Sequence, residues 1–258
     1  MPKIRIGGPV TCNPNTGWAR ELLRENLKEV DFLSYHQYGY SEPFDTPSDF
    51  VMSRTVRYRE AAEEYRKLAQ EFQKDLPVIV SETNTNPRFH NPPPGTDPRI
   101  RSMFGAAWYA SALCQFALGG GDALCFFTLD GGFGACQLTR TGLVLHPVYH
   151  AIRLLREVCS GTIVPLVTSV TDVEAYLFEN GNRHSCLIIN KSTGTRDIEL
   201  AGLLKGTYRE YVLNKKSAAV YRNLTPERKF PLLSVRENVS EQAFRMEGYE
   251  LRLLMWER

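Results

Sequence analysis

The chain is predicted to be α/β followed by all-β: a parallel sheet with helical crossovers over residues 1–159, then a β-sandwich over residues 160–258. Three observations predict it. Strand-like and helix-like runs alternate as far as Cys159. Beyond it come only short strand-like runs at a spacing of roughly 8 to 12 residues, the rhythm of a sandwich. The length of 258 residues, 43% of them hydrophobic, supplies enough apolar side chain for two modest cores.

The elements follow in order. "KIRIGGP" reads as a short apolar strand closed by glycines, and in "TGWARELLRENLKEV" Trp18, Leu22, Leu23 and Leu27 recur at helical spacing. "VDFLSYHQYG" is the next strand. Ser48 or Asp49 stands where a cap belongs for a helix through "VRYREAAEEYRKLAQEFQKD", which leads to the strand "LPVIVSE". A Pro-rich loop from Asn91 to Pro98 precedes an apolar helix, "RSMFGAAWYASALCQFALGG", and the strand "DALCFFTLDGG". Pro147 fits the first turn of a closing helix, "PVYHAIRLLREVC". Such alternation argues a parallel sheet. The sandwich strands are "TIVPLVTSV", "VEAYLFENG", "HSCLIINKS", "TRDIELAG", "GTYREYVLN", "QAFRMEG" and "YELRLLMWE", with turn residues such as Asn180-Gly181 between them.

Charge and composition exclude several partners. The 31 basic and 29 acidic residues are mixed along the chain, giving a formal charge of +2 without the basic block that a phosphate backbone selects, so no nucleic acid is expected. "MPKIRIGGPV" contains no long apolar segment, so neither a signal peptide nor a membrane contact is expected, and the chain reads at face value as cytosolic. Asn190-Lys191-Ser192, Asn223-Leu224-Thr225 and Asn238-Val239-Ser240 fit the glycosylation pattern, which keeps localisation open. The six cysteines are widely spaced, without C-x-x-C, and are read as reduced core residues.

One short stretch raises the question of function. In "LPVIVSETNTNP" an apolar strand ends on a carboxylate, Glu82. Ligands of parallel α/β folds meet the carboxyl ends of the strands. His36 and Tyr38 close one strand, Glu82 the next and Asp130 the one after. Asp31, Asp75 and Asp122 stand at the opposite, stabilising ends. Asn84 and Thr85 follow Glu82 with side chains that can hydrogen-bond a carboxylate or a sugar hydroxyl. His146 and His150 lie four apart, but without the Glu of a zinc-protease motif they read as helix packing. "LGGGD" and "DGGFG" lack the Lys-Ser/Thr of a phosphate loop and read as turns. No cofactor or metal is expected.

These residues resemble a known family. "PVIVSETNT" is similar to the seventh barrel strand of family 39 glycoside hydrolases, the β-xylosidase and α-L-iduronidase group. "IGGP" resembles the fifth strand, "DFLSYHQYG" the sixth, "CFFTLDGGFG" the eighth, and "HPVYHAIRLL" the helix after it. The matches fall in the right order across about residues 3 to 158. The resemblance implies half of a (β/α)8 TIM barrel, strands five to eight, ahead of the sandwich, with Glu82 as nucleophile of a retaining double displacement. It further implies that Tyr38 hydrogen-bonds that carboxylate, that His36 and Asn84 contact sugar hydroxyls, that Phe127 takes the platform position usually held by tryptophan, and that Asp130 lies at the edge. A β-xyloside is the first substrate it suggests.

Eight βα units need about 250 residues, and the region before residue 160 fits four. The family's acid/base, the glutamate of an Asn-Glu pair on the fourth strand, therefore has no counterpart, although retaining hydrolysis needs two carboxyls about 5 to 5.5 Å apart. A carbohydrate substrate, a separate amino-terminal barrel half, or self-association with Glu42 or Asp130 of a second copy as the acid are the expected partners. The competing expectation is a non-catalytic carbohydrate-binding or regulatory half-barrel.

Overall fold

The computed structural model describes residues 4–41, 45–88, 95–140, 142–157, 160–203, 206–220 and 234–257. Glu42, Cys159, Asn223 and the start of the Pro-rich loop lie outside the described residues. The chain forms two compact units, residues 1–92 with 112–127, and residues 93–111 with 128–258. The last helix of the alternating stretch ends at Arg156 and the first strand after it begins at Thr162, whereas the compact units divide the chain elsewhere.

The first unit is built from β1 (Gly7–Thr11), α1 (Thr16–Asn26), β2 (Phe32–His36), α2 (Ser48–Ser53), α3 (Val56–Glu71), β3 (Val78–Thr83), the second half of α4 (Met103–Leu118) and β4 (Ala123–Phe126). Its four strands run parallel in the order β1-β2-β3-β4. Asn15 caps α1 by accepting from the Trp18 N–H at 3.1 Å. Ser48 and Asp49 do not cap the long helix; they begin the separate short α2, and α3 starts after Thr55 with no side-chain cap. The buried face of α3 repeats at three and four residues: Tyr58, Ala61, Ala62, Tyr65, Leu68 and Ala69. Its alanines allow close approach to the sheet, and Tyr65 packs on Tyr35 with ring centroids 4.4 Å apart.

Carboxylates lock the strand starts, as expected of that end. Asp31 accepts from the Ile6 N–H at 2.9 Å. Asp122 accepts from the Val78 N–H and from Arg66, both at 2.7 Å, and Arg66 also reaches Asp75 at 3.1 Å.

The second unit holds the first half of α4, a hairpin of β5 (Cys136–Thr139) and β6 (Gly142–Leu145), and α5 (Pro147–Arg156). The hairpin was not legible in the sequence. After it come β7 (Thr162–Leu166), β8 (Val173–Asn180), β9 (Arg183–Asn190), β10 (Arg196–Glu199), β11 (Tyr208–Leu213), α6 (Lys215–Val220), β12 (Ser234–Val239), β13 (Ala243–Met246) and β14 (Leu251–Glu257). Six strands form an antiparallel sheet ordered β12-β11-β14-β9-β8-β7, and β10 pairs with β13. Ile198, Phe244 and Met246 of that pair pack on Val173, Cys186, Ile188, Tyr208 and Leu254, giving two β layers over one apolar core. Gly181 takes φ +59° in the turn joining β8 to β9.

A buried ionic network crosses the large sheet. Glu210, Glu250 and Arg252 are 0%, 1% and 7% exposed. Arg252 donates to Glu210 at 3.0 Å and to Glu250 at 2.7 and 3.1 Å, and its guanidinium lies 4.2 Å from the centroid of Phe244. Arg236 adds a second cation on Glu210.

The cysteines correct one expectation: Cys114, Cys136 and Cys186 are buried, but Cys12 and Cys125 are exposed. Burial pushes the Cys186 thiol up to about 12. His150 sits on the buried side of α5 with Val148, Ala151 and Leu154, and its pKa falls to about 4, by burial first and by the charge of Arg153 second. The neutral imidazole is therefore favoured in the folded state. The unfolded chain takes up a proton below about pH 6.5, so this contribution is complete above that pH and is lost as pH falls toward 4. Urea unfolding is expected to show about 2 kcal/mol less stability at pH 5 than at pH 7 from this group, and His150→Gln to flatten that part of the profile.

Candidate functional site

A local irregularity sets the site. Leu33 pairs with Val78 and Tyr35 with Val80, but His36 pairs with Glu82, so β3 holds one residue more than β2 at this point. The same extra residue appears against β4, where Val80 pairs with Leu124 and Thr83 with Phe126. Strict alternation would put Glu82 on the face of Val80, which is 0% exposed. The bulge instead puts Glu82 on the face of His36 and sends Thr83 toward the helices. The Tyr58 hydroxyl of α3 holds this arrangement: it donates to the Gln37 carbonyl at 2.8 Å and shares a hydrogen bond with the Thr83 hydroxyl at 2.7 Å. This answers why an apolar strand ends on an acid. The carboxylate is turned out of the core at the strand's carboxyl end.

Around Glu82 stand two of the expected side chains. The Tyr38 hydroxyl donates to Glu82 Oε2 at 2.8 Å, and His36 Nδ1 lies 3.3 Å from the same oxygen. The side chains of His36 and Glu82 are 21% and 32% exposed, so the carboxylate is reachable yet partly desolvated. Burial, then the hydrogen bond to Glu82 and its charge, raise the Tyr38 pKa far above the usual phenol value. Tyr38 thus stays protonated and serves as a fixed donor that orients the carboxylate.

Asn84 is placed differently from the expectation that it contacts sugar hydroxyls. It is 1% exposed; its Nδ2 donates to the Phe127 carbonyl, and its Oδ1 accepts from the Thr85 N–H at 2.7 Å. Its carboxamide ties the loop after β3 to the end of β4. The Phe127 N–H donates to the Thr83 carbonyl at 2.8 Å, which brings this half-buried aromatic residue beside the strand that carries Glu82. Asp130 does not end a strand. β4 closes at Phe126, and Asp130 belongs to the second unit, where its exposed carboxylate accepts from the Leu138 N–H at 3.0 Å and braces the β5–β6 hairpin.

Sequence reading missed Tyr58 and Gln37. The signal for Tyr58 was its place in the Tyr58-Ala61-Ala62-Tyr65 stripe, where a phenol on a buried helix face needs a polar partner. Among the described residues no group of three His, Cys, Asp or Glu side chains is placed to hold a metal ion. No helix among them is long and apolar enough to cross a membrane. Asn190, in the first glycosylation pattern, is fully buried, with its Nδ2 donating to the carbonyls of Gly194 and Glu247.

If Glu82 acts as an anion, Tyr38→Phe removes a hydrogen bond to a charge worth about 1.5–3 kcal/mol. Steady-state kinetics are expected to show kcat lower by about tenfold to a hundredfold.

Nearly the whole chain shares its fold with part of several solved glycoside hydrolases. The structure is similar to a GH51 arabinofuranosidase from Xanthomonas axonopodis pv. citri, with a TM-score of 0.70 over 98% of this chain and 16% identity. It is also similar to a family 51 α-L-arabinofuranosidase from Bifidobacterium longum, with a TM-score of 0.66 over 96% of this chain and 11% identity. For a GH30 endoxylanase from Clostridium papyrosolvens C71 the TM-score is 0.58 over 98% of this chain, at 11% identity. The chain spans 58%, 59% and 56% of the lengths of these three. In sequence, a family model described as D-apionate lactonase, TIM barrel domain, matches residues 79–160, the span that holds Glu82, Asn84, Phe127 and Asp130. No curated protein matches the sequence.

Proposed function

We propose that the chain carries the nucleophile side of a carbohydrate hydrolase, with Glu82 as the attacking carboxylate. The observation that carries this reading is the Glu82 carboxylate itself, held at a strand's carboxyl end by Tyr38 at 2.8 Å with His36 at 3.3 Å. In the family 39-like mechanism Glu82 attacks the anomeric carbon, the leaving oxygen takes a proton from a general acid, and water then releases the sugar from the glycosyl ester. Tyr38 and His36 orient the carboxylate, Asn84 and Phe127 shape the adjoining loop, and a β-xyloside is the first substrate to try.

The general acid comes from outside the four strands, from an amino-terminal barrel half or from a second copy of the chain. Supporting this, β1 and β4 each have one edge unpaired among the described residues, and Ile4, Ile6 and Trp18 near β1 are 82%, 56% and 67% exposed.

A second reading rests on the lactonase match over residues 79–160. There Glu82 attacks the carbonyl carbon of a sugar-acid lactone, the ring oxygen leaves with a proton, and water opens the resulting anhydride. The test presents the purified chain and Glu82→Ala with a panel of aryl glycosides, β-xyloside included, and with aldonolactones, while the mass in solution is measured. Cleavage of a glycoside or a lactone that disappears in Glu82→Ala selects between the two. Failure with both, also after an amino-terminal half is added, would leave the non-catalytic binding reading.

A further inference from the structure

Residue alternation sends Gln37 to the face opposite His36. Beside α3 lies a cavity of about 370 Å³ lined by Gln37 and Tyr38, and by Arg54, Arg57, Glu60 and Glu64 among others. Its two arginines are unlike those around them. On α3 itself Arg59 pairs with Glu63 at 2.7 Å, and Arg66 is clamped by Asp75 and Asp122 at 3.1 and 2.7 Å. Arg54 and Arg57 have no carboxylate within 4 Å among the described residues, although Glu60 and Glu64 line the same cavity. Arg54 is held in place by donating Nε–H to the Gly39 carbonyl at 2.8 Å and by lying over the Phe50 ring. Burial lowers its pKa, and the charge of Arg57 lowers it further, so the two cations stand close enough to repel. Gln37 is 6% exposed, and its Oε1 receives no hydrogen bond among the described residues.

We propose that this cavity binds a small hydroxylated anion, a sugar acid or a sugar phosphate, with the anionic group at Arg54 and Arg57 and the hydroxyls at Gln37, Glu60 and Glu64. Two guanidiniums without a carboxylate partner relieve their repulsion on an anion. The carboxylates and the amide that line the same cavity suit hydroxyl donors, and they would repel a ligand that is anionic throughout. Glu82 does not line this cavity, although Tyr38, which donates to Glu82, does, and the proposal does not depend on the hydrolase reading.

Isothermal titration of the whole chain with D-gluconate, glucose 6-phosphate and glucose tests it. One of the two anions is expected to bind and glucose is not; the anion that binds names the source. Arg57→Gln, an exposed position, should weaken binding about tenfold or more, as should Arg54→Lys. Absence of binding by both anions at millimolar concentration overturns the proposal. So does equal binding of glucose, or binding that survives Arg57→Gln in a protein of unchanged melting temperature.

Discussion

Glu82→Gln is expected to lower kcat by about 10⁴-fold or more on the cleaved substrate, the scale seen when a covalent nucleophile is removed, with little change in stability. The amide keeps the shape and can still accept from Tyr38, but it cannot attack. Loss of folding does not explain such a result, because the side chain is 32% exposed and the amide has nearly the same volume. In Glu82→Ala a small external anion such as azide fits the vacated volume. For a glycosidase, azide should restore turnover and give the glycosyl azide of opposite anomeric configuration. A lactonase of the second type gives an acyl azide instead. An activity that persists in Glu82→Gln would exclude Glu82 as nucleophile in either chemistry.

Arg252→Ala should be the most damaging single change in the β layers. It leaves the Glu210 and Glu250 carboxylates, 0% and 1% exposed, without the cation that joins them. Breaking a buried pair from one side costs about 3–5 kcal/mol, because the surviving charge stays desolvated. Arg236 still reaches Glu210 and Asn214 still donates to Glu250, which places the expected loss near the lower figure. Urea unfolding followed by far-ultraviolet circular dichroism measures it. Arg209→Ala is the control: its pair with Glu237 is about half exposed on both sides, and such solvent-screened pairs contribute little. Equal effects from the two variants would mean that the buried network is not what holds this sheet.

Much of this was legible in the sequence because it depends on periodicity. The alternation of β2, α3 and β3, the buried helix α4 and the strands β8, β9 and β14 all follow from apolar spacing. Glu82, His36 and Tyr38 were legible as one site because each stands past the last apolar residue of a strand. What escaped depends on contacts between distant residues. The β5–β6 hairpin has only four residues in each strand and no strong alternation. Asp130 looked like the end of a strand because "CFFTLD" is uniformly strand-forming, but pairing stops at Phe126 and the remainder turns toward the hairpin. Asn84 reads as a ligand contact, yet its neighbours in space, Phe127 and Thr85, occupy its carboxamide.

The extra residue in β3 carries a consequence for how this site tolerates change. Val78, Val80 and Glu82 share a parity in the numbering, yet the first two belong to the core and the third to the mouth, because Ser81 shifts the count between them. Deleting Ser81 would remove the extra residue and leave Glu82 opposite His36, whereas flattening the bulge with Ser81 retained would turn Glu82 to the face of Val80 and Thr83 outward. The direction of this carboxylate is therefore specified by counting as much as by chemistry: substitutions around Glu82 alter its surroundings, whereas loss of the bulge in a strand of unchanged length exchanges inside for outside.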